Sequence, residues 1–262
     1  MGLREVLEMV RRSGRAGVVG VLVTLVAAVT GFVDPMSLLI TVGGSLGVAW
    51  LTFPRERMAA AWHHLRAALG DAPPADPLIS TFRRLARAHR LEGPLGLERA
   101  IPTVDDAFLR QALVLVLEAR DGDDVSDVLL GEARGQTGEI EAARHVVLTL
   151  GRLFPAFGLI GTLIGLALLL RNLGVDASLA KVAPGLAIAV LTTLYGAVLA
   201  NVVVLPLATR LQSHLAREVL RQEMIIAGTL LVQRREYPSR VERVLRAYAG
   251  APLGEGVHVR AA

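Results

Sequence analysis

The sequence predicts an all-α membrane protein with four transmembrane helices in a two-plus-two arrangement. A helical cytoplasmic domain is expected between the second and third spans, with both termini in the cytoplasm. Hydrophobic residues make up 53% of the chain, and the mean hydropathy is +0.50. A membrane-spanning helix needs about 20 apolar residues. Four runs of near that length or longer lack Asp, Glu, Lys, Arg and His: 16–33, 36–53, 153–170 and 182–208.

The first two runs predict a transmembrane hairpin over residues 16–53, preceded by a cytoplasmic tail at 1–15. A cleaved signal peptide is the alternative for the first run, because arginines precede it. No small-residue cleavage site closes the run, and a second span follows at once, so we interpret it as a retained span. Gly43 and Gly47 form a GxxxG in the second span, a spacing that favours close helix packing.

Basic residues predict the orientation of the spans. The N-terminal tail, the segment after Pro54 and the tail after Ala208 are rich in arginine, whereas the turn Asp34–Pro35 has none. The loop 171–181 carries two basic residues, which is a mild argument against this orientation. The net charge of +4 is therefore interpreted as positive-inside topology and attraction to anionic lipid, and no nucleic acid partner is predicted.

Residues 54–152 predict a cytoplasmic domain built from helices. Amphipathic patterns indicate helices at 55–69, 78–90 and 107–119, and a further helix from Asp123 that continues into the third span. The stretch 93–102 is expected to be irregular. The aspartates near 121–127 are interpreted as a solvated loop and an acid-rich helix start rather than a metal site.

The third and fourth runs, residues 153–208, are predicted to line a pore because they carry polar groups that a lipid anchor would not need. Gly158, Gly161 and Gly165 share a face with Thr162 at its edge, and the fourth span has a small-residue face that carries Thr193. Two interpretations stay open: hydroxyls that serve an ion pathway, and helix packing with each threonine bonded to its own helix. The fourth helix is expected to continue as a helix over 209–235, and residues 209–262 as a whole are predicted to form a cytoplasmic C-terminal helix and tail.

Residue types that are missing exclude several kinds of chemistry. The chain has no cysteine, its six histidines form no spaced ligand set, and no phosphate-binding loop or nucleophile–base pair is present. No enzymatic activity and no cofactor are predicted. Ion transport usually requires a carboxylate or a similar ionisable group inside the membrane, and none of the four runs has an Asp, Glu, Lys, Arg or His. If the protein is a channel, another chain must supply that group.

These residues resemble the MotA family of flagellar motor stator subunits, within the wider MotA, TolQ and ExbB proton channel superfamily. The strings FPAFGLIGTLIGLALLLRNLG and PGLAIAVLTTLYGAVLANVVVLPLA are similar to the family's third and fourth spans. SLLITVGGSLGVAWLTFP is similar to the second span, and GPLGLERAIPTVDDAFLRQAL resembles the cytoplasmic torque segment. The likeness covers most of 31–208, and the long segment after two spans favours the MotA branch.

The resemblance implies a multi-pass protein of the bacterial inner membrane. It implies a homopentamer around a dimer of a MotB-like single-span subunit, which would supply the missing Asp. Thr162 and Thr193 would face the pore near that Asp, and H⁺ or Na⁺ would be the transported ion. Pro155 and Pro206 match prolines that couple protonation to helix movement, for which a simple kink or helix start is the alternative.

The resemblance also implies a charged surface that faces a rotor protein of the FliG type. Arg99 matches the principal arginine of the torque segment, and Asp106 best matches its acidic position, with Asp105 as a second candidate. Ala107 stands where the family has proline. Solvated surface charge is the alternative for all three charged residues.

The expected function is therefore a stator that couples ion flow to rotation of the flagellar motor. The alternatives are the same ion-driven machine with another load, such as gliding, envelope energisation of the ExbB or TolQ kind, or defence, and a scaffold that conducts no ion.

Overall fold

A computed structural model describes residues 33–70, 76–118, 122–173 and 179–250 of the chain. Every regular element within these ranges is helical. The α-helices are α1 (Pro35–Leu38), α2 (Gly44–Thr52), α3 (Arg55–Leu69), α4 (Asp76–Glu92), α5 (Pro94–Ala100), α6 (Ala107–Glu118), α7 (Gly122–Leu173), α8 (Leu179–Val198), α9 (Leu205–Gln233) and α10 (Pro238–Tyr248). Two π-helical turns, Leu39–Gly43 and Leu199–Val204, and the 3₁₀ turn Ile101–Thr103 complete the list.

The described residues divide into two compact units. Of the described residues, the apolar unit contains 33–54 together with those of Leu148–Pro206. The polar unit contains those of Arg55–Val147 and of 207–250.

Three helical stretches of the described residues are long and apolar enough to cross a membrane: Pro35–Thr52, Gly122–Asn172 and Lys181–Gln233. They contain the predicted second, third and fourth spans. The predicted first span and the N-terminal tail lie outside the described residues, except for Val33 at the end of that span.

Polar groups at the start of the second span bond to α8. The backbone N–H of Asp34 donates to the hydroxyl of Tyr195 at 3.0 Å, and the hydroxyl of Thr41 donates to the carbonyl of Thr192 at 3.4 Å. Both bonds satisfy groups that would be costly to bury alone.

Among the described residues, close packing in the second span occurs at Gly44; the neighbouring first span lies outside them, so packing at the Gly43 and Gly47 pair stays a prediction. A Cβ at Gly44 would lie 2.3 Å from the ring of Phe157. A Cβ at Gly43 would meet only Leu39 of its own helix, and one at Gly47 would meet no described atom within 4 Å. The spacing identified a small-residue helix, but only the structure shows which glycine a neighbour approaches.

The polar unit has one hydrophobic core to which α4, α5, α6, α7, α9 and α10 all contribute. Its most deeply buried large side chains include Phe82, Leu97, Leu113, Ile225 and Leu245. The amphipathic patterns at 55–69 and 78–90 are confirmed as α3 and α4, and the pattern at 107–119 as α6.

Residues 94–103 are helical, so the expectation of an irregular stretch at 93–102 is wrong. Gly93 has φ 65° and turns the chain, and Pro94 begins α5. Gly96 lies so close to α4 that a Cβ would be 2.6 Å from the carbonyl oxygen of Ala88. Because tertiary packing stabilises this seven-residue helix, local propensity does not reveal it.

The two long helices that the sequence predicts are confirmed. Helix α7 runs without interruption from Gly122 to Leu173. The fourth span continues through the π-helical turn Leu199–Val204 into α9, which ends at Gln233.

Candidate functional site

Glycines bring α7 and α8 into backbone contact in the apolar unit. A Cβ at Gly165 would lie 2.5 Å from the carbonyl oxygen of Gly185, and one at Gly158 would lie 2.9 Å from the carbonyl oxygen of Thr192. A Cβ at Gly161 would overlap the side chain of Thr192 at 2.4 Å. The predicted glycine face of the third span is therefore the seam along which this helix pair packs.

The two adjacent threonines of α8 have different surroundings. Thr192 is fully buried in the seam, whereas Thr193 is exposed on the surface of the chain. Thr162 of α7 is partly exposed. The predicted pathway residues thus lie outside the seam, and the buried residue is the neighbour that sequence reasoning did not select.

Both predicted hydroxyls bond to their own helix. Thr162 Oγ1 donates to the carbonyl of Leu159 at 2.6 Å, and Thr193 Oγ1 donates to the carbonyl of Ala189 at 3.3 Å. A hydroxyl has one proton and two acceptor lone pairs. With the proton held by the helix, each oxygen offers lone pairs, which suit a cation or the O–H of water.

The two predicted coupling prolines are accommodated in different ways. Pro155 lies inside the uninterrupted helix α7 and is exposed. Pro206 is the second residue of α9 and follows directly on the π-helical turn Leu199–Val204. Proline lacks the N–H that would bond to the carbonyl four residues earlier, and its ring crowds that carbonyl. A wider turn before Pro206 relieves this crowding within a continuous helical segment.

The predicted rotor-facing arginine lies on the exposed side of α5. Arg99 is within 3.5 Å of Glu92 at the end of α4, and both side chains are more than half exposed. Leu95 and Glu98 are exposed on the same helix, while Gly96 and Leu97 face the core. At spacings of three and four residues, Leu95, Glu98 and Arg99 form one solvent-facing surface, which we call the α5 face.

The two candidate aspartates are not equivalent. Asp105 is exposed, whereas Asp106 is partly buried. Asp106 Oδ1 accepts a hydrogen bond from the backbone N–H of Leu109 at 2.9 Å, which caps α6. The other oxygen of Asp106 pairs with Arg221 of α9.

Arg221 connects two acidic residues of the polar unit. Its guanidinium bonds to Glu218 on the preceding turn of α9 and to Asp106. Burial disfavours its charge, but the hydrogen bond and charge of Glu218 together with those of Asp106 raise the pKa of Arg221. Arg221 stays cationic and ties the start of α6 to α9. Sequence reasoning missed this pair because its members are separated by 115 positions.

The predicted aspartate cluster shows no metal geometry in the described part of the chain. Asp123 and Asp124 lie in the first turn of α7, where acids are expected. Among the described residues no group of three His, Cys, Asp or Glu side chains is placed to hold a metal ion.

Comparisons with known proteins agree with this arrangement of helices. The model of the MotA/TolQ/ExbB proton channel family matches residues 100–224. Motility protein A of Aquifex aeolicus is 34% identical over 88% of this chain and 91% of its own length. The solved structure of C. jejuni MotAB superposes with a TM-score of 0.79 at 19% identity, covering 95% of this chain and 96% of that chain.

A second solved structure, the flagellar MotAB stator complex from Bacillus subtilis, has a TM-score of 0.76 at 24% identity and covers 88% of this chain and 94% of that chain. Residues of each unit are therefore included in the match to this structure. The resemblance that the third and fourth spans indicated is confirmed: this chain belongs to the MotA family of membrane ion-channel stator subunits, which are not enzymes.

Proposed function

We propose that the protein conducts H⁺ or Na⁺ across the bacterial inner membrane and converts that flow into rotation of a flagellar motor. The observation that carries the proposal is the different exposure of two adjacent threonines. Thr192 is buried in the α7–α8 seam, whereas Thr193 is exposed beside it. A hydroxyl in hydrocarbon is costly unless it is paired or solvated. The bond of Thr193 Oγ1 to the Ala189 carbonyl pairs its proton and leaves the oxygen lone pairs available to an ion or to water.

The carboxylate that the pathway needs comes from a partner. The four predicted spans contain no ionisable side chain apart from Tyr195 of the fourth, whose hydroxyl accepts a bond from the Asp34 backbone. A MotB-like subunit with one span and one intramembrane Asp would bring that acid next to Thr162 and Thr193. The solved structures that share the fold are MotAB complexes, which supports a MotB-like partner. We propose five copies of this chain around a partner dimer.

Pro155 and Pro206 are proposed to couple ion binding to helix movement. Each interrupts the hydrogen-bond ladder of a pore-lining helix. The π-helical turn before Pro206 changes the winding of the helix at this point. Such turns within α-helices frequently mark functional sites.

The α5 face is proposed to contact a rotor protein of the FliG type. Arg99 and Glu98 present charges of opposite sign on one exposed surface. Exposed charges at an interface chiefly steer association and set specificity. Asp105, exposed after the 3₁₀ turn, would contribute the acidic contact more directly than Asp106, whose carboxylate already binds two partners.

Ion flux measured in vesicles tests the proposal. The chain is reconstituted with its single-span partner, and flux is recorded with a proton gradient alone and with a sodium gradient alone. Thr193→Val keeps the side-chain shape and removes the hydroxyl, so flux is expected to fall by about tenfold if the oxygen serves the pathway.

Thr192→Val is the matched control. It removes a hydroxyl that bonds only to the carbonyls of Ile188 and Ala189, so flux is expected to stay near that of the unaltered protein. Equal flux in the two variants would remove Thr193 from the pathway. Unaltered flux without the partner would contradict an ion pathway in which the partner supplies the Asp.

A further inference from the structure

The turn between α9 and α10 contains a backbone conformation that arginine rarely adopts. Arg235 has φ 55°, in the left-handed region that usually requires glycine. Its N–H bonds to the carbonyl of Val232, and the N–H of Glu236 bonds to the carbonyl of Leu231. These two bonds define the Schellman motif, in which glycine is the common residue at the Arg235 position. The presence of arginine there calls for a reason in its side chain.

The side chain of Arg235 bonds to a buried histidine of α4. Arg235 Nε donates to His89 Nε2 at 3.3 Å, and His89 is only 5% exposed. Burial and the nearby positive charge of Arg235 both lower the pKa of His89. The imidazole is therefore neutral at cytoplasmic pH, so that Nε2 is available as an acceptor.

The next residue of α4 holds the same turn from another direction. Arg90 Nη1 donates to the carbonyl of Arg235 at 2.9 Å. The Arg90 guanidinium also lies over the ring of Tyr237, 3.7 Å from its centroid, a favourable cation–π geometry. His89 and Arg90 thus bind the side chain, the carbonyl and the following aromatic ring of one turn.

The last turns of α4 also support the α5 face. Gly96 of α5 packs so closely that a Cβ would lie 2.6 Å from both the Ala88 carbonyl oxygen and Glu92 Cβ. Glu92 in turn pairs with Arg99. His89 and Arg90 lie between Ala88 and Glu92 along the chain, so the contacts to the Arg235 turn and the contacts to α5 share the same stretch of helix.

We propose that Arg235, clamped to His89 and Arg90, is a positioning residue that fixes the end of α4 and thereby the orientation of the α5 face. The proposal rests on the proposed function, in which that face contacts a rotor. It assigns a mechanical role to a turn that lies outside the rotor-facing residues and outside the ion pathway.

A distance measurement tests the clamp independently of any load. The chain has no cysteine, so Glu98→Cys and Ala247→Cys place spin labels at two defined exposed positions on α5 and α10. Labelled full-length protein is diluted with unlabelled chain to isolate distances within one subunit. Arg235→Gly removes the guanidinium and suits the left-handed backbone, so the turn and the Arg90 bond to its carbonyl survive while the bond to His89 is lost.

Arg235→Gly is expected to broaden the distribution of distances between the labels by roughly twofold while the thermal midpoint moves by less than about 2 °C. Arg234→Ala, which removes an exposed arginine from the same turn, is the matched control and is expected to leave the distribution unchanged. An unchanged distribution in Arg235→Gly would overturn the proposal.

Motor output and ion flux, measured on the Arg235 and Arg234 variants without the two cysteine substitutions, complete the test. Arg235→Gly is expected to lower torque at least about twofold with unchanged flux, because charged contacts depend on their geometry; Arg235→Lys, which keeps the cation and a donor, should restore part of it. Normal torque despite a broadened distribution, or an equal loss of flux, would overturn the positioning role. If Arg99→Glu also leaves torque intact, the rotor-facing assignment itself fails. The distance measurement then still tests whether the bond between Arg235 and His89 fixes the position of α5.

Discussion

The guanidinium of Arg221 on α9 pairs with the carboxylate of Asp106, which at the same time caps α6 through the N–H of Leu109. The side chains of Arg221 and Asp106 are 28% and 26% exposed. One acidic residue therefore joins two helices of the polar unit. The residue that best matches the family's acidic torque position has a structural task in this chain, and the exposed Asp105 precedes it.

Replacing Asp106 is expected to destabilise the protein. Asp106→Ala removes the cap of α6, which costs about 1–2 kcal/mol, and one partner of Arg221. Asp106→Asn keeps an oxygen that can cap and should cost less. Asp105→Ala, one position away and exposed, is the matched control and should leave the thermal unfolding midpoint of the purified protein unchanged. Equal destabilisation by the two alanine variants would contradict the structural role of Asp106.

Charge reversal at Arg99 is expected to impair motor rotation without loss of assembly. Arg99 and Glu92 are largely exposed, so their pair contributes at most about 1 kcal/mol to stability. Arg99→Glu should reduce swimming and torque while membrane levels and ion flux persist. Arg84→Glu makes the same charge change at an exposed position of the neighbouring helix α4 and serves as the control.

The double variant Arg99→Glu with Glu92→Arg separates two explanations for that loss. It restores an ion pair with the signs exchanged. If Arg99 acts only through Glu92, rotation returns; if it contacts the rotor, rotation stays impaired. Normal swimming in Arg99→Glu, combined with active ion flux, would contradict the rotor-facing role of Arg99.

A methyl group in the α7–α8 seam is expected to disrupt the helix pair. Gly165→Ala places a Cβ 2.5 Å from a backbone oxygen, which cannot move aside as a flexible side chain could. Overpacking of this kind costs about 1–3 kcal/mol. Detergent-purified Gly165→Ala should unfold at a lower temperature and conduct less.

Gly131 of the same helix provides the control for that substitution. It is exposed, and a Cβ there would meet no described atom within 4 Å. Gly131→Ala should be neutral or stabilise α7 by roughly 0.5–1 kcal/mol through helix propensity. If Gly131→Ala proved as damaging as Gly165→Ala, backbone approach between α7 and α8 would not explain the effect.

Helix content and order were predictable because they depend on composition along the chain. The uncharged runs and the amphipathic patterns locate α3, α4, α6, α7 and α9 to within a few residues. Helix α5 escaped prediction because it is only seven residues long and Gly96 disfavours a helix locally. Packing of Gly96 and Leu97 against the rest of the polar unit stabilises it.

The details of the site depend on contacts that no local pattern contains. Thr192 and Thr193 are 100° apart on a helical wheel, and only the approach of Gly161 decides which one is buried. The partners Asp106 and Arg221, and His89 and Arg235, lie far apart in the chain. The sequence holds one signal for the second pair: Arg235 stands just after the end of α9, at a position where glycine is usual.

Acidification is expected to destabilise the polar unit through its histidines. Burial is the largest cause that lowers the pKa of His64, His89 and His214, and it outweighs the opposite effect of Glu139 on His64 and of Glu218 on His214. In the unfolded chain these imidazoles titrate near pH 6.5. Below that pH the unfolded state binds protons that the folded state resists, so their contribution to stability is complete above about pH 7 and is lost as pH falls through about 6.

Thermal midpoints at about pH 7.5 and about pH 5.5 measure this dependence, and a variant without two of the histidines identifies its source. His64→Gln with His214→Gln leaves the His89 clamp intact and should shrink the drop in midpoint between the two pH values. Carboxylates contribute equally to both proteins, so they cancel in the comparison. An undiminished drop in the double variant would show that other groups control the acid sensitivity.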